Sequence, residues 1–212
     1  MSRLEDRFAP RPVTGQELLH KGMVWNLVRD TVDLGDGGVV RREYLDHPGA
    51  VCVLAIDDDE RILLLRQYRH PVGMQLWEIP AGLLDVAGEP PLAAAQRELA
   101  EEADLVARDW AVLIDWFNSP GGSSEALRCF VARGLSPVPE GERHQRTAEE
   151  LDMPLEWVSL DEAGAAVLSG RMHNVGAVVG VLAALASRAS GWTTLRPADS
   201  AWPEHPALRP TA

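Results

Sequence analysis

Arg97-Glu98-Leu99-Ala100-Glu101-Glu102, written RELAEE, is the stretch on which the reading of this chain turns. Wound into a helix, it sets Glu98, Glu101 and Glu102 at i, i+3 and i+4 on one face. Like charges at those spacings oppose one another by about 0.2–0.5 kcal/mol per pair. Two explanations compete for such a face. It is either a solvated acidic surface, which needs no function, or a cluster that holds divalent cations. The opposite face carries Leu92, Ala95 and Leu99, so the helix has one side to bury. Its start is expected at Pro90-Pro91, because proline fits the first helical turn and pushes the residue before it out of the α region. Its end is expected near Ala103.

Working outward, Pro80 to Glu89 forms a glycine-bracketed loop leading into this helix. Upstream, 23–34 and 39–45 flank Gly35-Asp36-Gly37-Gly38 as a hairpin, and 50–56 and 62–66 flank Asp57-Asp58-Asp59-Glu60 as a second one. The runs AVCVLAI and ILLLR are apolar throughout, which predicts strands buried on both faces. A short extended segment is expected around Trp77-Glu78-Ile79. Downstream, strands are expected at 110–116, 126–132 and 155–158, with a long polar loop over 136–152. Ser159-Leu160-Asp161-Glu162 reads as a capping box opening a helix that ends near Gly170. A last helix runs from about Asn174 to Ala189 and closes at Gly191. Its Gly176-x-x-x-Gly180 spacing is expected to let it pack closely on a neighbour. Strands on both sides of helices, without a regular βαβ rhythm, indicate an α+β fold or mixed-sheet sandwich.

The composition, 46% hydrophobic and 25% charged, is that of a globular chain. With 20 basic against 32 acidic residues the net charge is −12, which repels phosphate backbones, and no basic run exceeds Arg41-Arg42. Nucleic-acid binding is therefore not expected. An anionic small substrate would need metal to offset the charge. The longest apolar stretch, 175–186, is too short to span a bilayer, and MSRLEDRFAPRP lacks a signal peptide's apolar core. Cys52 and Cys129 sit in apolar strands without metal-type spacing and read as buried free thiols of a reducing compartment. No membrane association is expected, and a cytoplasmic location is.

Gly82, Glu89, Arg97-Glu98-Leu99, Glu101-Glu102 and Leu105 together resemble the Nudix box, a pattern of Gly, five residues, Glu, seven residues, then Arg-Glu-apolar-x-Glu-Glu-x-Gly-apolar. Two positions depart from it. Six residues separate Gly82 from Glu89, and Asp104 stands where the pattern has its last glycine. The likeness extends over roughly 20–190. Leu65-Arg66-Gln67-Tyr68-Arg69-His70-Pro71, Leu76-Trp77-Glu78-Ile79-Pro80-Ala81-Gly82 and Ser119-Pro120-Gly121-Gly122-Ser123-Ser124-Glu125 resemble the ADP-ribose pyrophosphatase branch of that family.

The resemblance implies an α/β/α sandwich around a mixed sheet, with an N-terminal antiparallel strand appendage. Three regions follow: an N-terminal strand region at 1–45, a catalytic domain at 46–191 and a proline-rich tail at 192–212. It also implies a homodimer in which the N-terminal strands reach across to the partner. Glu98 and Glu102 would be the principal ligands of Mg2+, with Mn2+ an alternative; Glu101 and the Ala81 carbonyl would contribute, for two or three ions per site. Arg97 has Glu101 at i+4 and would steer or neutralise a carboxylate. The general base would come from the loop Thr147 to Asp152, with Glu150 the candidate and Glu149 or Asp152 the alternatives. Arg69 would contact the diphosphate or else form a surface salt bridge, and Glu125 would accept from ribose hydroxyls or else face solvent. Trp25 would stack on a partner's adenine or else be plain core, and Arg42 is a candidate of the same kind. His70 and His173 read as structural. The implied activity is metal-dependent hydrolysis of ADP-ribose to AMP and ribose 5-phosphate. The alternatives are a pyrophosphatase for another nucleotide sugar or dinucleotide, and an ADP-ribose sensor that no longer cuts.

Overall fold

The computed structural model describes residues 4–145 and 153–209. The chain divides into two compact units, one of Ala50–Trp116 and Leu127–Ala201, the other of Met1–Gly49, Phe117–Ala126 and Trp202–Ala212.

The larger unit is organised by one strand. β4 (Ala50–Ala55) is buried along its whole length, as the unbroken apolar run predicts. A strand turns successive side chains to opposite faces, and β4 uses this to feed two cores. Cys52 and Leu54, with Ile56 just beyond, join a cluster containing Leu160, Ala163, Ala177, Val181 and Ala184 of helices α2 (Leu160–Leu168) and α3 (Val175–Ala189). Val51, Val53 and Ala55 join Ala94, Ala95, Leu99 and Ala103 of helix α1 (Pro91–Ala103). Helices thus cover both faces of the sheet. β4 pairs in parallel with β9 (Ala126–Pro137), Cys52 opposite Cys129, and antiparallel with β7 (Ala81–Leu83). β8 (Leu105–Phe117) and the two-residue β11 (Arg196–Pro197) complete a mixed sheet in the order β11-β8-β9-β4-β7. α3 sits close because position 180 is glycine. A Cβ there would lie 3.1 Å from Ile79 Cδ1 and 3.5 Å from Cys129 Sγ. None of the described helices is long and apolar enough to cross a membrane.

The expected second hairpin is not formed as a ladder. β4 and β5 (Arg61–Arg69) enter different sheets and share one bridge, Ile56 to Ile62. Each strand needs neighbours on both edges. β4 takes β9 and β7, whereas β5 takes β6 (Met74–Glu78) and β10 (Leu155–Ser159) in an antiparallel sheet of three. The capping residue of α2 is as expected, Ser159 Oγ accepting from the Glu162 N–H at 3.1 Å.

In the smaller unit β1 (Val13–Lys21), β2 (Asn26–Asp33) and β3 (Val39–Asp46) form an antiparallel sheet in that order. β1 has no counterpart in the sequence reading, since it is exposed almost throughout and carries no burial pattern to read. The buried Asp30 carboxylate ties the three strands, accepting from Gln16 Nε2 at 2.9 Å and the Tyr44 hydroxyl at 3.2 Å. Trp25, expected within the strand pair, lies instead in the β1–β2 turn. The Gly22 N–H donates to the Trp25 carbonyl at 3.1 Å and closes that turn before β2 begins.

Candidate active site

α1 places its acidic face against the strand that precedes it. β7 runs beside β4, and the helix lies over this corner of the sheet through Ala94, Ala95 and Leu99. Glu102 Oε2 accepts from the Ala81 backbone N–H at 2.9 Å. Glu98 lies against the next residue so closely that a Cβ on Gly82 would stand 1.9 Å from its Cδ and Oε1. Glycine is therefore required at 82 for Glu98 to occupy this position. Two carboxylates four residues apart on one helix thus meet two consecutive residues of one strand.

One guanidinium serves three acids here. Arg97 donates from Nε and Nη2 to both oxygens of Glu89, at 3.0 and 2.9 Å, a bidentate pair that pins the loop end to the helix. Its Nη1 donates to Glu98 Oε1 at 2.5 Å and to Glu101 Oε2 at 3.4 Å. The hydrogen bonds from Arg97 hold Glu89 below the ordinary carboxylate range. Glu98 goes the other way. Burial raises its pKa, Arg97 opposes that, and the negative neighbours Glu101 and Glu89 raise it again. The two carboxylates beside the same arginine are pushed apart because Glu98 is the more desolvated, whereas Glu89 takes the bidentate pair.

Among the described residues no three acidic, histidine or cysteine side chains form a ready-made metal cage. A hard cation such as Mg2+ does not need one, since it takes one or two carboxylates and keeps waters and phosphate oxygens for the rest. The donor set fits it. Glu98 and Glu102 offer carboxylate oxygens beside the Ala81–Gly82 backbone, and Glu98 is 12% exposed.

The box departs from its pattern at Asp104 without damage to the helix. Asp104 caps α1 in the left-handed region, φ 53° and ψ 34°, the conformation for which glycine is preferred.

Arg69 is not a loose surface cation. Its Nε and Nη2 donate to the two oxygens of Glu78 at 2.8 and 2.6 Å, and Glu78 is almost completely buried. In the sequence Glu78 stands between Trp77 and Ile79, with no spacing motif to mark it. The signal present was the hairpin itself, which puts both residues on one face nine positions apart.

Glu125, Trp25 and Arg42 belong to the smaller unit. Glu125 precedes β9 in a loop fixed by its own hydrogen bonds, with Asn118 Nδ2 donating to its Oε2 at 2.8 Å. His47 Nε2 lies 3.9 Å from its Oε1. Neither His47 nor Asn118 carried any motif signal. Trp25 is 40% exposed, and Arg42 is exposed and donates to the Arg41 carbonyl. Glu149, Glu150 and Asp152, with the rest of the proposed base loop, lie outside the described residues.

The chain is similar to known proteins over most of its length. Residues 46–176 match the profile of the NUDIX domain. The chain is 46% identical over 190 residues to an ADP-ribose pyrophosphatase of Mycobacterium tuberculosis, covering 90% of each chain. It is 36% identical over 165 residues to a methanol dehydrogenase activator of Bacillus methanolicus, covering 78% of this chain and 87% of that one. The crystal structure of an ADP compounds hydrolase superposes with a TM-score of 0.69 at 22% identity, covering 89% of this chain and 99% of that one, which shows a shared fold.

Proposed function

This chain belongs to the Nudix family of hydrolases, and from that premise we propose that it cleaves the diphosphate of ADP-ribose to AMP and ribose 5-phosphate. One observation carries the reading: Glu98 and Glu102, four residues apart on α1, converge on Ala81–Gly82. The share of sequence held in common with an ADP-ribose pyrophosphatase supports the choice of substrate.

Glu98, Glu102 and the Ala81 carbonyl hold two or three Mg2+ or Mn2+ ions in this proposal, with Glu101 assisting. Held by these residues, such ions would supply charge neutralisation at the diphosphate and a lowered pKa for the attacking water. Arg97, anchored by Glu89, keeps Glu98 and Glu101 in register. Arg69, whose fork is oriented by the buried Glu78, contacts the diphosphate in this proposal. Glu150 takes the proton of the water, and Glu125 accepts from the hydroxyls of the terminal ribose. Trp25 and Arg42 serve the adenine side across a homodimer formed through residues 1–45. The exposed Met23-Val24-Trp25 turn supports that dimer, and the buried thiols support a cytoplasmic setting.

The test is a panel of ADP-ribose, other nucleotide sugars and dinucleotides, incubated with Mg2+ and with chelator, with products resolved by chromatography. AMP and ribose 5-phosphate from ADP-ribose, in preference to the panel and only with the cation, are expected. Tight ADP-ribose binding with no AMP released would overturn the reading in favour of a sensor.

A further inference from the structure

The Glu125 carboxylate is held more deliberately than a solvent-facing acid at a strand start requires. Asn118 and Glu125 close the ends of their loop twice. The Asn118 N–H donates to the Glu125 carbonyl at 3.1 Å, and the Asn118 side-chain amide donates to Oε2 at 2.8 Å. Inside the loop the N–H groups of Gly122 and Ser123 both donate to the Ser119 carbonyl at 2.9 Å, and the Glu125 N–H donates to Ser123 Oγ at 3.1 Å. The loop is tied to the end of β3 as well. Leu45 N–H donates to the Gly122 carbonyl at 3.0 Å, Ser124 N–H to the Leu45 carbonyl at 2.9 Å, and His47 N–H to Ser124 Oγ at 2.9 Å.

That last bond brings the His47 ring to Glu125. His47 Nδ1 accepts from the Gly49 N–H at 3.1 Å, so the neutral ring carries its proton on Nε2. Nε2 lies 3.9 Å from Glu125 Oε1. The two donors therefore approach different oxygens of one carboxylate, Asn118 at Oε2 and His47 at Oε1. Each carboxylate oxygen has two acceptor sites, so each keeps one for a ligand. Two acceptor oxygens fixed side by side match two adjacent hydroxyl donors.

We infer that Glu125 is a preset double acceptor for a vicinal diol, and that Asn118 and His47 are its positioning residues. The inference rests on the reading that Glu125 meets the terminal ribose, and it adds which side chains aim it and which part of the sugar it takes. Neither positioning residue touches the reacting phosphate, so their loss weakens ground-state and transition-state binding alike.

The full-length chain with ADP-ribose and Mg2+ provides the test, through KM and kcat for N118A, N118S, H47N, H47Q and E125Q and for N118A combined with E125Q. N118A should raise KM about five- to tenfold, the worth of one ordinary hydrogen bond, with kcat changed less than about twofold. N118S retains a donor and should fall between. H47N keeps an acceptor for the Gly49 N–H but has no donor that reaches Glu125, so it should raise KM; H47Q restores a donor and should recover most of the loss. In the E125Q background N118A should add nothing. If E125Q raises KM while N118A and H47N do not, or if N118A costs as much in the E125Q background as in the parent chain, the positioning roles are overturned and the ribose reading stands. Should E125Q leave KM unchanged, the ribose reading fails and the positioning roles fail with it.

Discussion

Two ionic clusters within the larger unit use arginine in opposite proportions. On α1, Arg97 is shared by Glu89, Glu98 and Glu101, and Glu98 is left with a raised pKa. On β8 and β9, Asp115 receives two arginines. Arg128 donates to both its oxygens at 2.8 and 3.0 Å, and Arg196 donates to Oδ2 at 2.7 Å. Arg128 is 2% exposed, and the Ser200 and Ala201 carbonyls also accept from it, at 2.7 and 3.3 Å. The second cluster is complete, and a buried charge that is fully paired does a structural job: it fastens the chain after β11 to the sheet. In the first, one arginine is divided among three acids rather than gathered around one. Under the proposed function, the face those acids share is where a cation would bind.

The sharpest way to break this contrast is to remove one acid from the face of α1. Glu98→Gln and Glu102→Gln should each lower kcat by at least about a hundredfold, because the charge stabilisation a metal supplies amounts to several kcal/mol. Initial rates of AMP release measure this, and an undiminished rate in both variants would dismantle the site. Arg128→Met should do the reverse. It leaves Asp115 with Arg196 alone and should cost about 3–5 kcal/mol of stability. Calorimetry should show a Tm lower by roughly 6–20 °C for a chain of this size. At low temperature its kcat should match that of the parent chain, because no Arg97 contact changes.

Between these lies the link from cation to fold. Mg2+ at about 100 times its Kd should stabilise the protein by about 2.7 kcal/mol if it binds only the folded state. Chelator should abolish the resulting Tm shift. Gly82→Ala should abolish it too, because the new Cβ displaces Glu98, whereas Arg128→Met should preserve it. The smallest effect is expected at the helix end. Asp104→Gly should relieve the left-handed cap and raise stability by at most about 1 kcal/mol, a few degrees of Tm, without altering turnover.

What the sequence disclosed follows from the range of its signals. The two periodicities placed β4, β9, α1 and α3 and both of their cores, since apolar spacing records which face is buried. It does not record which edge pairs with which. The β4–β5 hairpin was therefore misread, and β1, with nothing buried, went unseen. At the site, Gly82, Glu98 and Glu102 were legible because they share one loop and one helix. Glu89 was legible only as a motif position. Its partner Arg97 lies eight residues on, but Glu89 precedes α1 and no helical spacing links the two. Glu78 and Asn118 acquire their roles from pairings across a hairpin and across a loop, and His47 from one made by tertiary structure. His47 and Glu125 are seventy-eight positions apart, and nothing local to either announces the other.

Cys52 and Cys129, opposite each other on β4 and β9, have no accessible surface. A thiol-modifying reagent in excess must wait for these strands to separate, so the speed of mass gain reports how often the central sheet opens. Because the two sulfurs occupy matching rungs, a cooperative opening should add two adducts together. A lone first adduct would reveal that one edge of the sheet peels before the other.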